Sequence, residues 1–295
     1  MINIIDKKWL FFLISGLTII PGLIALSLWG LNLSQDFTGG SLIELKVEKA
    51  KPNDLKNLAQ KAKLKVVSIQ ETQKGTFLIR TDPIDQKTNK SFQKSITKKY
   101  QNIEELRFET IGPTIGRETT EKAIQGVIIA SIAIIGYITL AFRKIPKGYS
   151  SWKFGICAVA ALIHDILVVV GVFSIFGHFG GVEIDSLFIT ALLTIMGFSV
   201  HDTIVVFDRI RENLIKMAGK SFSDIVNEAI LQTLARSLST SLTVLFTLTA
   251  LLLFGGESIK WFIVALLIGI ISGTYSSIFN AAPLLVIWEE WKKKK

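Results

Sequence analysis

Six stretches of the chain stay apolar for as long as a bilayer is thick: 9–31, 124–142, 154–176, 184–207, 238–254 and 260–288. Each is about 17 residues or more, enough for a helix rising about 1.5 Å per residue to cross a hydrocarbon core of roughly 30 Å. The pattern between the first two is different. From 36 to 117, short alternating runs give way to amphipathic, lysine-rich ones. Residues 41–47 alternate with period two, as a half-buried strand does. Pro52 then opens a stretch with Leu55, Leu58 and Ala59 at helical spacing, which predicts a helix over 52–63. Strands are expected at 66–71 and 76–80 around a turn at Lys74 and Gly75, then a helix over 91–100 and a strand over 106–111. The order βαββαβ predicts a small ferredoxin-like α+β module. The expected fold class is a polytopic α-helical membrane protein of six transmembrane helices with one small ferredoxin-like α+β extracytoplasmic domain. Its expected parts are 1–31 for the N-terminus and first helix, 32–123 for the module and 124–295 for a five-helix bundle.

Charge fixes the orientation. Only 19% of the 295 residues are charged, against roughly a quarter in a soluble domain. A net charge of +9 would point a soluble chain toward nucleic acid, but here the cations follow the connections between spans, so no nucleic acid partner is expected. Arg143, Lys144, Lys147 and Lys153 occupy one link; Arg209, Arg211, Lys216, Lys220 and Arg236 another; Lys292 to Lys295 form the tail. The opposite links, 177–183 and 255–259, carry none. Both termini are therefore expected in the cytoplasm and residues 32–123 beyond the membrane. Lys7 and Lys8 before the first span agree. That span is too long for a signal-peptide core and shows no clear small-x-small site, so an uncleaved anchor is expected. A single cysteine, Cys157, excludes an intrachain disulfide and a cysteine zinc site.

Two carboxylates stand where a membrane penalises them by about 2.5–3.5 kcal/mol. Asp165 lies midway along the third span, and Asp202 in the inner half of the fourth. Each either carries function or only bridges helices by hydrogen bonds. On the fifth span Arg236, Thr240, Thr243 and Thr247 recur at steps of four, three and four, stacking a guanidinium and three hydroxyls on one helix face. That face is expected to turn inward, toward Asp202. On the sixth span Gly269 and Gly273 offer a small-xxx-small approach, continued by Ser276 and Asn280. A carboxylate beside an arginine that stays charged has a proton affinity set by their separation, which is what coupling proton flow to movement requires. Asp202 and Arg236 are therefore the expected proton relay pair, with His164, Asp165 and His201 as a possible secondary polar site. Adjacent residues on a helix point about 100° apart, so neither His-Asp pair is expected to chelate a metal. Gly219, Lys220 and Ser221 mimic the end of a phosphate loop, but Leu214 stands where the earlier glycine is required. No cofactor is expected beyond protons as the coupling ion.

Several segments resemble the SecF family, the smaller subunit of the SecD–SecF accessory complex of bacterial protein export, within the resistance-nodulation-division superfamily. They are DFTGG at 36–40, IGPTIG at 111–116, ALIHD at 161–165, GFSVHD at 197–202, VVFDRIREN at 205–213 and RSLSTS at 236–241. Their order and spacing over the whole chain carry the likeness. The resemblance implies a six-span half-transporter, not an enzyme, that pairs with a SecD-like subunit about a pseudo-twofold along the membrane normal. It further implies use of the proton-motive force to draw a preprotein out of the SecYEG channel after the ATP-driven step by SecA, in the bacterial inner membrane. Carried over by position, Asp202 matches the family's proton-carrying aspartate, Arg236 its arginine and Thr240 the neighbouring threonine. The alternatives are a proton-coupled small-molecule exporter half of the same superfamily, whose relatives have far larger extramembrane loops, an intramembrane aspartyl protease, and a passive scaffold that only holds other subunits, in which neutral substitutions of Asp202 are harmless. Against the protease, Asp165 and Asp202 are expected about 8 Å apart in depth, and no Gly-x-Gly-Asp precedes either.

Overall fold

The computed structural model describes residues 3–293 apart from 48, 49, 63, 73, 74, 101, 143–145, 147 and 148. The expected turn residue Lys74 and the link cations Arg143, Lys144 and Lys147 lie outside the described residues. The chain divides into two compact units, 33–124 and the combination of 1–32 with 125–295. In chain order the elements are α1 (Lys8–Trp29), α2 (Gln35–Thr38), β1 (Gly40–Val47), α3 (Pro52–Lys61), β2 (Val66–Glu71), β3 (Thr76–Thr81), α4 (Gln86–Thr97), β4 (Ile103–Ile111), α5 (Pro113–Ala141), α6 (Ser151–Gly180), α7 (Ser186–Lys216), α8 (Phe222–Phe254), α9 (Lys260–Ser276) and α10 (Ala282–Lys293).

In the smaller unit the four strands form one antiparallel sheet in the order β2-β3-β1-β4. Alternate residues of β1 and β3, namely Ile43, Leu45, Phe77 and Ile79, are buried with Leu55 and Ala59 of α3 and with Phe92 and Ile96 of α4. The period-two and helical patterns thus meet in one apolar layer. Helix α4 begins five residues before the expected position. Its first turn is polar and leaves no apolar period, and Asp85 marks the start instead by accepting the Thr88 N–H at 2.9 Å. Two glycine-bearing segments of this unit touch backbone to backbone. Gly39 and Gly40 have φ of +72° and +131°, and a Cβ at Gly116 would lie 2.7 Å from the Gly39 nitrogen. No side chain fits at such a crossing.

Among the described residues, six helices are long and apolar enough to span a membrane. Two of them start earlier than hydropathy predicts. Helix α5 begins at Pro113 rather than near 124, with the proline at the helix start where its missing N–H costs nothing. Helix α8 begins at Phe222 rather than 238, capped by the Ser221 hydroxyl, which accepts the Asp224 N–H at 3.1 Å. The Gly-Lys-Ser run at 219–221 is therefore a turn and helix cap, with Gly219 at φ +95°. The sixth span is continuous but not uniform: α9 passes through one π turn, Ser277–Ala281, into α10. Pro283 follows directly, and a residue without an N–H cannot continue the regular ladder.

Within the helical unit, α1 lies against α6 at a glycine crossing, where a Cβ on Gly22 would come 2.9 Å from Gly171 Cα. Phe142 and Phe154 stack on each other and meet Phe207 edge to face, with centroids 5.2–6.2 Å apart. Lys153 needs correction. It was counted with the link cations that set topology, yet it belongs to α6, is buried, and pairs with Glu289 of α10 at 2.6 Å.

Candidate functional site

Among the described residues of the helical bundle, each of the two carboxylates Asp165 and Asp202 centres a cluster of hydroxyls. Asp165 on α6 is fully buried. Its Oδ1 accepts from the Ser272 hydroxyl at 2.7 Å and meets His164 Nδ1 at 3.0 Å; its Oδ2 accepts from Ser199 at 2.6 Å and Ser276 at 2.7 Å. Hydroxyls from α7 and α9 thus converge on one carboxylate of α6. The helices can come this close because α9 presents glycine. A methyl group at Gly269 would overlap Ile195 of α7, and one at Gly273 would sit 3.0 Å from Ser199 Cβ. The small-xxx-small reading of the sixth span describes this contact. Ser276 belongs to the cluster, and Asn280 on the same stripe accepts from Ser15 of α1 at 3.0 Å.

Asp202 on α7 is 2% exposed, and its Oδ2 lies 3.4 Å from the Ser241 hydroxyl of α8. Ser241 meets Thr274 of α9 at 2.6 Å, and Thr274 reaches the Ile270 carbonyl at 2.9 Å. Next to Asp202 on α7 the buried Thr203 bonds to Ser277 of the π turn at 2.8 Å, while Ser277 also donates to the Ser199 carbonyl at 3.0 Å. The carboxylates of Asp165 and Asp202 therefore have separate hydroxyl partners.

The expected inward face of α8 is corrected. From Arg236 onward along α8, Ser237, Ser241 and Leu248 are buried, whereas Arg236, Thr240, Thr243 and Thr247 are exposed; Arg236 still lies near enough to act on the Asp202 charge. The three threonines return their hydroxyl protons to carbonyls four residues earlier, at 2.8–3.0 Å. Helical phase is the reason: Ser241 follows Thr240 by about 100° and takes the inward position. Arg236 lies five residues before Ser241, about 7.5 Å along the axis, and makes no ion pair among the described residues. His201 is likewise exposed, one residue from Asp202. The structure thus brings together Asp202, Ser241 and Thr274, and separately His164, Asp165, Ser199, Ser272 and Ser276. Arg236, Thr240 and His201 line the outer surface of α7 and α8. Ser199, Ser241, Ser272 and Thr274 were not singled out from the sequence; each falls three or four residues, or a small multiple, from a residue that was.

Residues 91–291 match the family model described as protein export membrane protein SecD/SecF, C-terminal. The chain is similar to the protein translocase subunit SecF of Thermobaculum terrenum, 48% identical over 98% of this chain and 94% of that one. It is also similar to the SecF subunit of Anaerolinea thermophila, 44% identical over 99% and 96% respectively. The crystal structure of SecDF from Thermus thermophilus, a translocon-associated membrane protein, superposes with a TM-score of 0.84 at 31% identity. This chain is covered to 98% in that match and spans 39% of the SecDF chain. The Bacillus subtilis translocase subunit SecDF shows the same proportion, 35% identical over 98% of this chain and 38% of the relative. On model, relatives and fold alike, the chain belongs to the SecD/SecF family of protein export membrane proteins, as a SecF-type subunit.

Proposed function

We propose that this chain is the SecF half of a proton-driven complex that assists the Sec translocase, with Asp202 as its proton carrier and Arg236 and Thr240 as the groups that set when the proton is held. One observation carries the reading: α8 has two unlike polar edges at membrane depth. Its inner edge bonds to Asp202 through Ser241, and its exposed edge presents Arg236, Thr240, Thr243 and Thr247, with Arg236 near enough to act on the Asp202 charge. A guanidinium is poorly placed against lipid, so the exposed edge is the surface on which a SecD-like half fits. In the SecDF relatives both halves lie on one chain, and the present chain accounts for less than half of it.

The inner cluster supplies a means of coupling. When Asp202 is ionised it accepts from Ser241, which in turn accepts from Thr274. When Asp202 is protonated it donates, and the hydroxyl protons turn round so that Thr274 donates to the Ile270 carbonyl. One proton thus changes the bonding of α7, α8 and α9 together. The energy available is about 2.3 kcal/mol per charge for each 100 mV of membrane potential. In this reading both termini are cytoplasmic, the membrane is the bacterial inner membrane, and residues 33–124 act on a preprotein leaving SecYEG on the far side after SecA has used ATP. The coupling ion is the proton, with no other cofactor.

The arginine tests this reading. Arg236→Lys keeps the charge and loses the planar fork, and Arg236→Met loses both. Stimulation of export by the proton gradient is expected to fall partly in the first and completely in the second. The chain should also co-purify in mild detergent with a SecD-like subunit. A lone, monodisperse chain that is active, or an Arg236→Met variant as active as the native one, overturns the proposal.

A further inference from the structure

The cluster around Asp165 holds more than a helix contact needs. Both of its carboxylate oxygens accept two contacts each, and Ser199 and Ser272 have no other hydroxyl partner among the described residues. Each of these hydroxyls has one proton to give, so the arrangement fits an ionised carboxylate receiving from neutral donors. The fourth contact is His164 Nδ1, which in that arrangement carries its proton toward Asp165. A neutral imidazole with a proton on Nδ1 leaves Nε2 as a bare acceptor. His164 Nε2 is buried and meets no hydrogen-bond partner among the described residues.

We propose that His164 and Asp165 form a second proton-binding site, in which His164 Nε2 takes the proton and Asp165 is its fixed counter-charge. A buried carboxylate held only by neutral hydroxyls keeps an uncompensated charge, and buried charges are otherwise paired. The imidazole provides that pairing in one step: the proton adds to the Nε2 lone pair, the ring becomes cationic, and the pair becomes neutral overall. The remaining titratable groups on the elements packed around His164 do not supply a cation to Asp165. On α9 there is Tyr275, whose ring lies over the imidazole at 6.3 Å and whose hydroxyl donates to the Phe11 carbonyl. On α7 there are Asp202, already bonded to Ser241, the exposed His201, and toward its end Arg209, Arg211 and Lys216, which pair with Glu212 and Asp208; Lys260 at the start of α9 pairs with Glu257. Lys153 of α6 and Glu289 of α10 are occupied with each other, Cys157 carries no positive charge, and α1 contributes only Lys8 at its start, bound to Glu290.

The position of α9 connects the two sites. Ser272 and Ser276 point to Asp165, while Thr274 between them bonds to Ser241 and through it to Asp202. Residues two apart on a helix face roughly opposite ways, so α9 stands between the two proton sites, and on α7 Ser199 and Asp202 are three residues apart. Use of this second proton in transport rests on the function proposed above; its binding does not.

The chain has three histidines, His164, His178 and His201, which makes the test tractable. The complex with its SecD-like partner, labelled with ¹⁵N-histidine and placed in lipid nanodiscs, is followed by NMR across pH, with His164→Gln assigning the His164 signals. The expected result is a bare Nε2 and protonated Nδ1 at high pH, then proton uptake at Nε2 as pH falls. Asp165→Asn keeps size and hydrogen bonding but removes the counter-charge, and should move that step. Ser272→Ala, which removes a single donor to Asp165, should move it by less and serves if Asp165→Asn does not assemble. A proton on Nε2 at every pH, no uptake over the range in which the complex stays assembled, or a step unmoved in both variants overturns the proposal. Because the readout is not export, a normal titration combined with failed proton coupling at Asp202 would reject the function and leave this site standing.

Discussion

Replacing Lys153 with methionine tests whether the bundle is held by the buried pair that joins its third and sixth spans. The two side chains are only 5% and 6% exposed and their charged atoms are 2.6 Å apart, so solvent screening removes little of the interaction. Methionine fills nearly the same volume and leaves Glu289 buried without a partner. Removing one member of such a pair costs about 3–5 kcal/mol, whereas replacing both with apolar groups of similar size is near neutral. The expected cost of Lys153→Met is therefore at least about 3 kcal/mol, and Lys153→Met with Glu289→Leu should recover most of it. The assay is unfolding of the lipid-reconstituted chain by titration with a denaturing detergent, followed by tryptophan fluorescence. Trp152 and Trp288 lie edge to face at 5.1 Å, and Lys153 Nζ sits 5.9 Å from the Trp288 ring, so the signal reports on this region. A single substitution costing under about 1 kcal/mol, or a double variant no better than the sum of the singles, refutes the reasoning.

Other consequences can be read in the same preparations. Gly269→Leu places a side chain where Ile195 already is; it should destabilise the α7–α9 contact by about 1–3 kcal/mol in the same unfolding assay, and Ile195→Ala in the same chain should give part of that back. In the smaller unit Lys99 at 2.9 Å and Tyr100 at 3.0 Å hold the Asp54 carboxyl below the usual carboxylate range. A lowered folded pKa gives stability that is present above the unfolded value and lost as pH falls through the folded one. Amide exchange over α3 should therefore be slower than in Asp54→Asn at neutral pH, and the difference should begin to shrink below about pH 4 and vanish only below the lowered folded value; a difference constant with pH contradicts this. Photo-crosslinkers placed along residues 36–117 should capture a stalled preprotein without sequence preference, as strand-edge contacts do, and capture confined to 208–237 would contradict the proposed side of action.

The spans were legible because a bilayer imposes both a length and an apolar composition, and the module was legible because β1, β3 and α3 carry clean periods. Hydropathy sees only the part of a helix that lies in lipid. The polar start of α5 from Pro113 and the amphipathic start of α8 from Phe222 therefore read as connections, although Phe222, Ile225, Val226, Ala229 and Ile230 recur at helical spacing. The site was legible in part for a related reason. A lone carboxylate in an apolar run is conspicuous, so Asp165 and Asp202 stood out, while the serines that hold them do not. Ser199, Ser272 and Ser241 acquire meaning only when α6, α7, α8 and α9 are set at their relative rotations, which no single helix encodes. For the same reason Thr240 was expected to face Asp202 and Ser241 does. Lys153 was misassigned because topology counting treats every cation near a span as free, and its partner Glu289 is 136 residues away.

Asp202→Asn is the most direct test of proton coupling, since it preserves size and hydrogen bonding and removes only the titratable proton. The measurement is preprotein import into inverted membrane vesicles driven by ATP and SecA, with and without a proton-dissipating uncoupler. The account predicts that the variant assembles with its SecD-like partner at normal levels, imports at the rate of the uncoupled native vesicles, and does not respond to the uncoupler. If the variant imports as fast as the native chain and slows as much when the gradient is dissipated, Asp202 does not couple the proton gradient to export.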